Sequence, residues 1–245
     1  MSKLINSSWQ DFPPTVAARF GAKAGRQRTM VHEGHVIVVV HSPPKANELE
    51  RRASIFWRHP NGTWKSTGDV KGNLSALRGV VDGYMKTAAT LEGAVETARS
   101  AADYFKILQE VAPLLRASRG LHKTLQDARE ALKTDVDMIS LRDLAYEAER
   151  TLELVQQDAN SGLDFTVARR AEEQAELGER IAKSSHRLNL ITALFLPITA
   201  IGGVFGANLA HGLENKNAPW LFWGFVVASF AVGFFVRSTV ANTKS

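Results

Sequence analysis

Residues 188–245 hold only four charged side chains, Glu214, Lys216, Arg237 and Lys244, where an even spread of the chain's 22% charged residues would put about thirteen. A solvated globular tail is not built this way. Leu188 to Leu213 carries no charge apart from a neutral His211, and Ala218 to Val236 adds nineteen residues with none. A helix needs about 20 apolar residues to cross a hydrocarbon core about 30 Å thick, and a helix satisfies its own backbone polar groups there. The two segments therefore read as membrane-spanning helices joined by a short polar loop. The competing reading is a buried hairpin in a soluble core.

The flanks set the orientation. Arg180, Lys183 and Arg187 precede the first segment and Arg237 and Lys244 follow the second, while the loop holds Lys216 against Glu214. Positive flanks stay on the cytoplasmic side. The expected location is thus the inner (plasma) membrane, multi-pass, with both termini cytoplasmic and the loop from His211 to Pro219 outside. The first twenty residues contain no apolar run, so no cleavable signal peptide is expected. The absence of cysteine excludes disulfides, thiolate metal sites and cysteine catalysis.

The remaining charge is also uneven. Residues 1–72 hold 11 Lys+Arg against 5 Asp+Glu, whereas residues 73–187 hold 16 against 19. In the basic part, Pro13-Pro14 starts a short helix through Phe20. Thr29 to His32 and Val36 to His41 flank Gly34-His35 as a hairpin, because the run Val36-Ile37-Val38-Val39-Val40 is too β-branched to favour a helix. A second hairpin joins Ser54–Trp57 to Thr63–Lys65 through Asn61-Gly62, a pair suited to a tight turn. The expectation is a small antiparallel sheet.

From Asn73 the apolar period becomes three and four residues. Leu74, Leu77, Val81 and Tyr84, then Leu91, Val95, Ala98, Ala102 and Phe105, mark helices. Pro113 and Gly120 read as a break. Beyond them Leu121, Leu125, Ala128, Leu132, Ile139, Ala145, Ala148, Leu152 and Val155 form a second stripe, closed by Asn160-Ser161-Gly162. Nothing then stops a helix before Pro197, and Leu163 to Leu209, if continuous, spans about 70 Å. The expected class is an α+β membrane protein. Its parts are a small cytoplasmic α/β domain at 1–72, a cytoplasmic helical region at 73–160, a stalk helix continuing into the first span at 161–213, a second span at 218–236 and a cytoplasmic tail at 237–245.

The first span also carries a motif. The run from Thr192 to Asn208, with Pro197, Thr199, Gly203, Gly206 and Asn208, resembles the first transmembrane segment of the CorA family of divalent-cation channels, which closes on Gly-Met-Asn. The order of domains is similar as well. The resemblance implies a homopentamer in the lipid bilayer, with five copies of the first span lining one pore and the second spans forming an outer ring. Helical spacing lets Ser185, Leu188, Thr192, Phe195 or Leu196, and Thr199 share one face. In a fivefold ring Thr192 and Thr199 become hydroxyl belts, and Leu188 or Leu196 becomes an apolar constriction that gates by dewetting. The alternative for the threonines is a bond back to the preceding turn.

The resemblance makes Asn208 the outer-mouth residue that holds a hydrated cation through amide oxygens. Mg²⁺ suits that role because it dehydrates reluctantly. Nine residues separate Thr199 from Asn208, so a shared pore needs a helix that ends before Gly206. The alternative for Asn208 is an ordinary polar residue at a span end. Ala207 stands where the family has methionine, a position associated with ion preference, so Zn²⁺, Co²⁺ and Ni²⁺ stand beside Mg²⁺ as cargo. Glu214 and His211 are candidates for drawing cations to the outer mouth, or simply solvated loop residues. The sheet region is shorter than usual for the family, and the tail lacks a basic cluster.

No enzyme motif emerges. His32-Glu33-Gly34-His35 lacks the zinc-protease spacing, and there is no phosphate-binding loop, dinucleotide glycine pattern or nucleophile elbow. No catalytic cofactor is expected; the divalent cation is cargo. Arg26, Arg28, Arg51, Arg52, Arg58 and Lys65, interleaved with Trp57 and Trp64, match either a cytoplasmic nucleotide ligand held by charge and stacking or a sheet edge protected by cations. Nucleic acid is not an expected partner. The first reading is a channel for divalent metal ions; the second is a membrane effector of similar architecture that senses a nucleotide-type ligand; the third is a structural anchor.

Overall fold

The computed structural model describes Ile5, Trp9 and residues 11–44, 52–206 and 219–242. The chain divides into two compact units, Met1–Ala168 and Arg169–Ser245. The first holds helix α1 (Pro14–Ala17), strands β1 (Arg28–His32), β2 (His35–His41), β3 (Ala53–Arg58) and β4 (Trp64–Gly68), and helices α2 (Leu74–Thr97) and α3 (Ala101–Ala131). Helix α4 (Val136–Gly206) begins in the first unit and ends in the second, which also holds α5 (Pro219–Asn242).

The sheet is an antiparallel meander in the order β1-β2-β3-β4. Its central strands are buried on both faces, which explains the unbroken apolar run in β2. Val36, Val38, Val40 and Phe56 face the core built with α2, α3 and the start of α4. Ile37, Val39, Ile55 and Trp57 face a second core closed by Trp9, Phe12, Val16 and Phe20. Alternation along a strand divides the side chains between the two layers. Each fully buried Val or Ile contributes about 1.5–3 kcal/mol relative to an exposed one.

Several local expectations are corrected. Helix α1 stops at Ala17 rather than Phe20. The first turn is Glu33-Gly34, not Gly34-His35, because His32 pairs with His35 across the ladder. Both turn residues have positive φ, 47° and 79°, as a two-residue turn matching strand twist requires. The second hairpin has a longer loop, residues 59–63. There Asn61 Oδ1 accepts from the Thr63 N–H at 3.0 Å and its hydroxyl at 2.7 Å, and Gly62 takes φ 88°. The side chain thus completes the turn that a bare Asn-Gly pair would have made with backbone alone.

The helix boundaries also move. The break between α2 and α3 lies at residues 98–100, where Ser100 and Asp103 form a reciprocal capping box: Ser100 Oγ accepts from the Asp103 N–H at 3.2 Å, and Asp103 Oδ2 accepts from the Ser100 N–H at 2.9 Å. The Ser100 hydroxyl also donates to Asp103 Oδ2 at 2.7 Å, and this bond first, then those from the Arg99 and Ser100 N–H groups, holds the Asp103 carboxyl below its ordinary range. The new helix starts on a different phase, so Ile107 and Val111 face the core while Ala102 and Phe105 are exposed. Likewise α4 starts after Asp135, whose Oδ1 accepts from the Met138 N–H at 3.1 Å. Met138 and Leu141, with Ala145, Ala148, Leu152, Val155 and Ala159, then form its buried stripe, and Ile139 is only half-buried.

Pro113 and Gly120 lie inside α3, and Asn160-Ser161-Gly162 lies inside α4. A proline inside a helix removes a backbone bond at a cost of about 3 kcal/mol. Around it Val111, Leu114 and Leu115 are buried, and their packing carries the helix through. The two glycines provide space. A Cβ on Gly120 would meet Gln27 Nε2 at 2.7 Å, and one on Gly162 would sit 2.4 Å from the Tyr104 ring.

Candidate functional site

In the second unit α4 carries local ion pairs on an exposed surface: Arg169–Glu173 at 3.1 Å, Arg180–Glu176 at 3.8 Å and Lys183–Glu179 at 2.6 Å. All are one turn apart, the arrangement that supports a helix with little else to pack against. Toward the C-terminal end of α4 the character changes. Leu190, Ala193, Leu194, Pro197 and Ile198 are half-buried, whereas Ser185, Leu188, Thr192, Phe195, Leu196 and Thr199 are exposed. The helix thus has an occupied face and an open one.

The occupied face meets α5. A Cβ on Gly233 would lie 2.8 Å from the Leu194 carbonyl oxygen and 3.1 Å from its Cδ1, so the two backbones approach as closely as only a glycine permits. One turn earlier on α5, buried Ser229 turns its hydroxyl back to Phe225 O at 2.9 Å. Small residues four apart are the usual means of bringing two helices together where water does not drive them.

The open face contains the residues expected to line a pathway. Leu188 is 63% exposed and Leu196 62%. Thr199 donates its hydroxyl to Phe195 O at 3.1 Å and Leu196 O at 3.0 Å, as the back-bonding alternative described. That bond uses the proton and leaves the oxygen lone pairs outward as acceptors. Helix α4 runs through Gly202 and Gly203 and is still helical at Gly206, the last described residue of this stretch, so it does not end before Gly206. Asn208, His211 and Glu214 lie outside the described residues. The open face also extends further back than the sequence reading had it, to Leu177 and Ile181, both large and exposed. Their four-residue spacing toward Ser185 was the available signal.

Among the described residues no helix is long and apolar enough to cross a membrane. The two apolar segments of the sequence both extend into residues outside the described ones. Among the described residues, too, no group of three or more His, Asp or Glu is placed to hold a metal ion.

The basic residues of the first unit do not form one surface. Trp57 is 1% exposed, and Trp64 is half-buried against the first core, so Trp57 offers no open ring face for stacking, one of the two alternatives for these residues. Arg52 pairs with Asp69 at 3.6 Å and Arg58 with Asp135 at 3.7 Å; Lys65 lies over the Trp57 ring at 5.5 Å. Arg51 lies outside the described residues. Trp57 Nε1 donates to His35 Nδ1 at 3.0 Å, and the His35 and His59 rings lie 5.0 Å apart. Burial, then the neighbouring His59, push the His35 imidazole below its ordinary value.

Arg26 and Arg28 instead join a cleft of about 290 Å³ against α3, lined also by Gln27, Arg116, Lys123, Thr124 and Asp127. Sequence reasoning missed Arg116 and Lys123, which sit one turn either side of Gly120 on α3 and belong to a region with no net basic excess.

Among solved structures, the ZntB cytoplasmic domain from Vibrio parahaemolyticus shares the fold, with a TM-score of 0.55 at 11% identity over 66% of this chain and 80% of that one. The full-length CmaX protein matches with a TM-score of 0.46 at 15% identity over 89% of this chain and 78% of that one. The CorA magnesium transporter from Methanocaldococcus jannaschii matches with a TM-score of 0.43 at 14% identity over 86% and 78%. No curated protein matches the chain. Residues 74–237, two thirds of the sequence and all of its helical part but the last few residues, match the family model described as CorA-like Mg²⁺ transporter protein, and the chain belongs to that family of divalent-cation transporters.

Proposed function

We propose that this protein is the subunit of a homopentameric channel that passes divalent metal cations across a membrane, Mg²⁺ first among them. The observation that carries this reading is the open face of α4. Within one chain α5 meets Leu194 on the half-buried side of α4, while Leu188, Thr192, Phe195, Leu196 and Thr199 are exposed. A helix that alternates hydroxyls with large apolar side chains on an uncovered face suits a ring of identical copies around a pathway. The same five residues then supply belts of oxygen at Thr192 and Thr199 and apolar constrictions at Leu188 and Leu196.

The membrane reading is supported by the scarcity of charge beyond Arg187 and by the large exposed apolar side chains of α5, among them Trp220, Trp223, Val227, Phe234 and Phe235. An apolar surface of that extent is stable against lipid rather than water. Both spans would have cytoplasmic ends by the positive-flank rule. Inward passage of a doubly charged ion is then favoured by about 4.6 kcal/mol per 100 mV of membrane potential, so transport needs no nucleotide hydrolysis. Asn208, with Gly206, would hold the hydrated ion at the outer end, and His211 and Glu214 would flank it.

Uptake into liposomes tests the reading. Purified protein should admit Mg²⁺ more readily than Zn²⁺, Co²⁺ or Ni²⁺, and Asn208→Ala should lower that flux at least several-fold. A wild-type assembly that is pentameric yet silent toward all four ions sinks it.

A second reading is kept because one observation favours it. The cleft lined by Arg26, Arg28, Arg116 and Lys123 gathers positive charge in the first unit, as a membrane effector responding to an anionic cytoplasmic ligand would need.

A further inference from the structure

The cleft against α3 is built, not incidental. Gln27 spans it: its Nε2 donates to Ala117 O at 2.7 Å, and its Oε1 accepts from the His41 N–H at 3.1 Å. Gly120 makes room for that amide, since a Cβ there would fall 2.7 Å from Gln27 Nε2. Two residues along, Thr29 Oγ1 donates to Thr124 O at 2.7 Å. These bonds fix the chain segment carrying Arg26 and Arg28 against the helix carrying Arg116 and Lys123, so four cations are held around one space.

Little cancels their charge. Among the described residues Asp127 is the one acid in the lining, and none of the four cations pairs with a carboxylate. Arg28 is half-buried, donates to Ala24 O at 2.8 Å and Arg26 O at 3.0 Å, and lies 5.0 Å from the Phe20 ring centre. Burial and the neighbouring Arg26 charge both work against its protonated form. Arg116 donates through Nε to Ala112 O at 3.2 Å, and its terminal nitrogens stay available. Elsewhere in the same unit several arginines are paired with acids, as Arg52 with Asp69, Arg58 with Asp135 and Arg119 with Glu149 and Glu153. Four like charges around one space create a positive potential that attracts an anion.

We propose that this cleft binds a small phosphate-bearing anion through Arg26, Arg28, Arg116 and Lys123. Guanidinium groups match phosphate oxygens in pairs, and lysine adds a point charge. Among the described residues the lining contains no aromatic ring, so recognition falls on the phosphate group and not on a nucleobase. A volume of about 290 Å³ suits a compact ligand. The proposal deepens the ligand-responsive reading, on which its regulatory meaning rests; the binding itself does not depend on conduction.

Isothermal titration of the full-length protein in detergent, in divalent-free buffer at low ionic strength, tests it with inorganic phosphate, pyrophosphate and ATP as probes. Pyrophosphate should bind saturably, and Arg116→Gln/Lys123→Gln should weaken it at least tenfold with an unchanged melting temperature. Asp127→Asn, which removes the acid of the described lining, should tighten binding about threefold by the loss of a like-charge repulsion, a gain that misfolding cannot mimic. Arg169→Gln/Lys183→Gln should leave it unchanged. Absence of saturable binding by all three probes, or a double variant that binds like wild type, overturns the site. ATP more than tenfold tighter than pyrophosphate overturns recognition through phosphate alone. Liposome flux of the same preparation separates this outcome from failure of the channel reading.

Discussion

Leu194 on α4 and Gly233 on α5 meet so closely that a methyl group on the glycine would stand 2.8 Å from the leucine carbonyl oxygen. The obstacle is backbone, which cannot swing aside as a side-chain tip can. Gly233→Ala should therefore force the helices apart and destabilise the second unit by about 1–3 kcal/mol. Gly224→Ala, with nothing within 4 Å of its added carbon, should not destabilise the unit and should gain up to about 1 kcal/mol through lower backbone entropy in the unfolded chain. Thermal midpoints in the same detergent compare the two; equal midpoints would show that the close approach is not maintained.

Two helix glycines of the first unit should respond with opposite sign. Gly162→Ala drives a methyl into the Tyr104 ring at 2.4 Å, whereas Gly93→Ala meets nothing within 4 Å. The second should stabilise by about 0.5–1 kcal/mol through lower backbone entropy in the unfolded chain. The first should destabilise by about 1–3 kcal/mol. Denaturant midpoints read both directly.

Stability should fall with acid partly through His35. Its imidazole is held below its ordinary value near 6.5 by burial and then by His59, so the unfolded chain takes up the proton first. The contribution is fully present above about pH 6.5 and is lost as the pH falls through the lower folded value. His35→Gln keeps an acceptor for Trp57 Nε1 and removes the titration. Its thermal midpoint should change less between pH 7 and pH 5 than that of the wild type; parallel curves would assign the acid sensitivity elsewhere.

On the channel reading, Thr199→Val preserves shape and removes the outward oxygen, so flux should drop several-fold while the oligomer stays intact. Leu188→Ser replaces an exposed apolar ring by a wettable one and should raise resting leak. Stopped-flow uptake with an ion-sensitive dye measures both, and indifference to the two changes would move the pathway off this face.

The meander and the long C-terminal-half helix were legible because each rests on a local pattern: the β-branched run Val36 to Val40, and a stretch from Leu163 with nothing to stop a helix before Pro197. Misreadings came where a residue's ordinary local meaning was overruled by a distant neighbour. Gly120 and Gly162 look like punctuation, yet each is small because Gln27 or Tyr104 lies against it. Pro113 looks like a stop, yet buried Val111, Leu114 and Leu115 hold the helix together around it. The true break before α3 was written as Ser100 and Asp103 three residues apart, a capping signature obscured by the continuous apolar stripe around it. The basic cleft was invisible because its four cations come from segments some ninety residues apart in the chain.

The meeting of Leu194 and Gly233 is made by uncharged groups, since the atoms nearest a Gly233 Cβ are the Leu194 carbonyl and Cδ1. Changes in salt, pH or metal concentration have nothing there to titrate or screen. The α4–α5 pairing is therefore a passive joint. Any response of this protein to its ionic surroundings has to begin at charged or hydroxyl-bearing positions elsewhere and reach the joint as mechanical displacement.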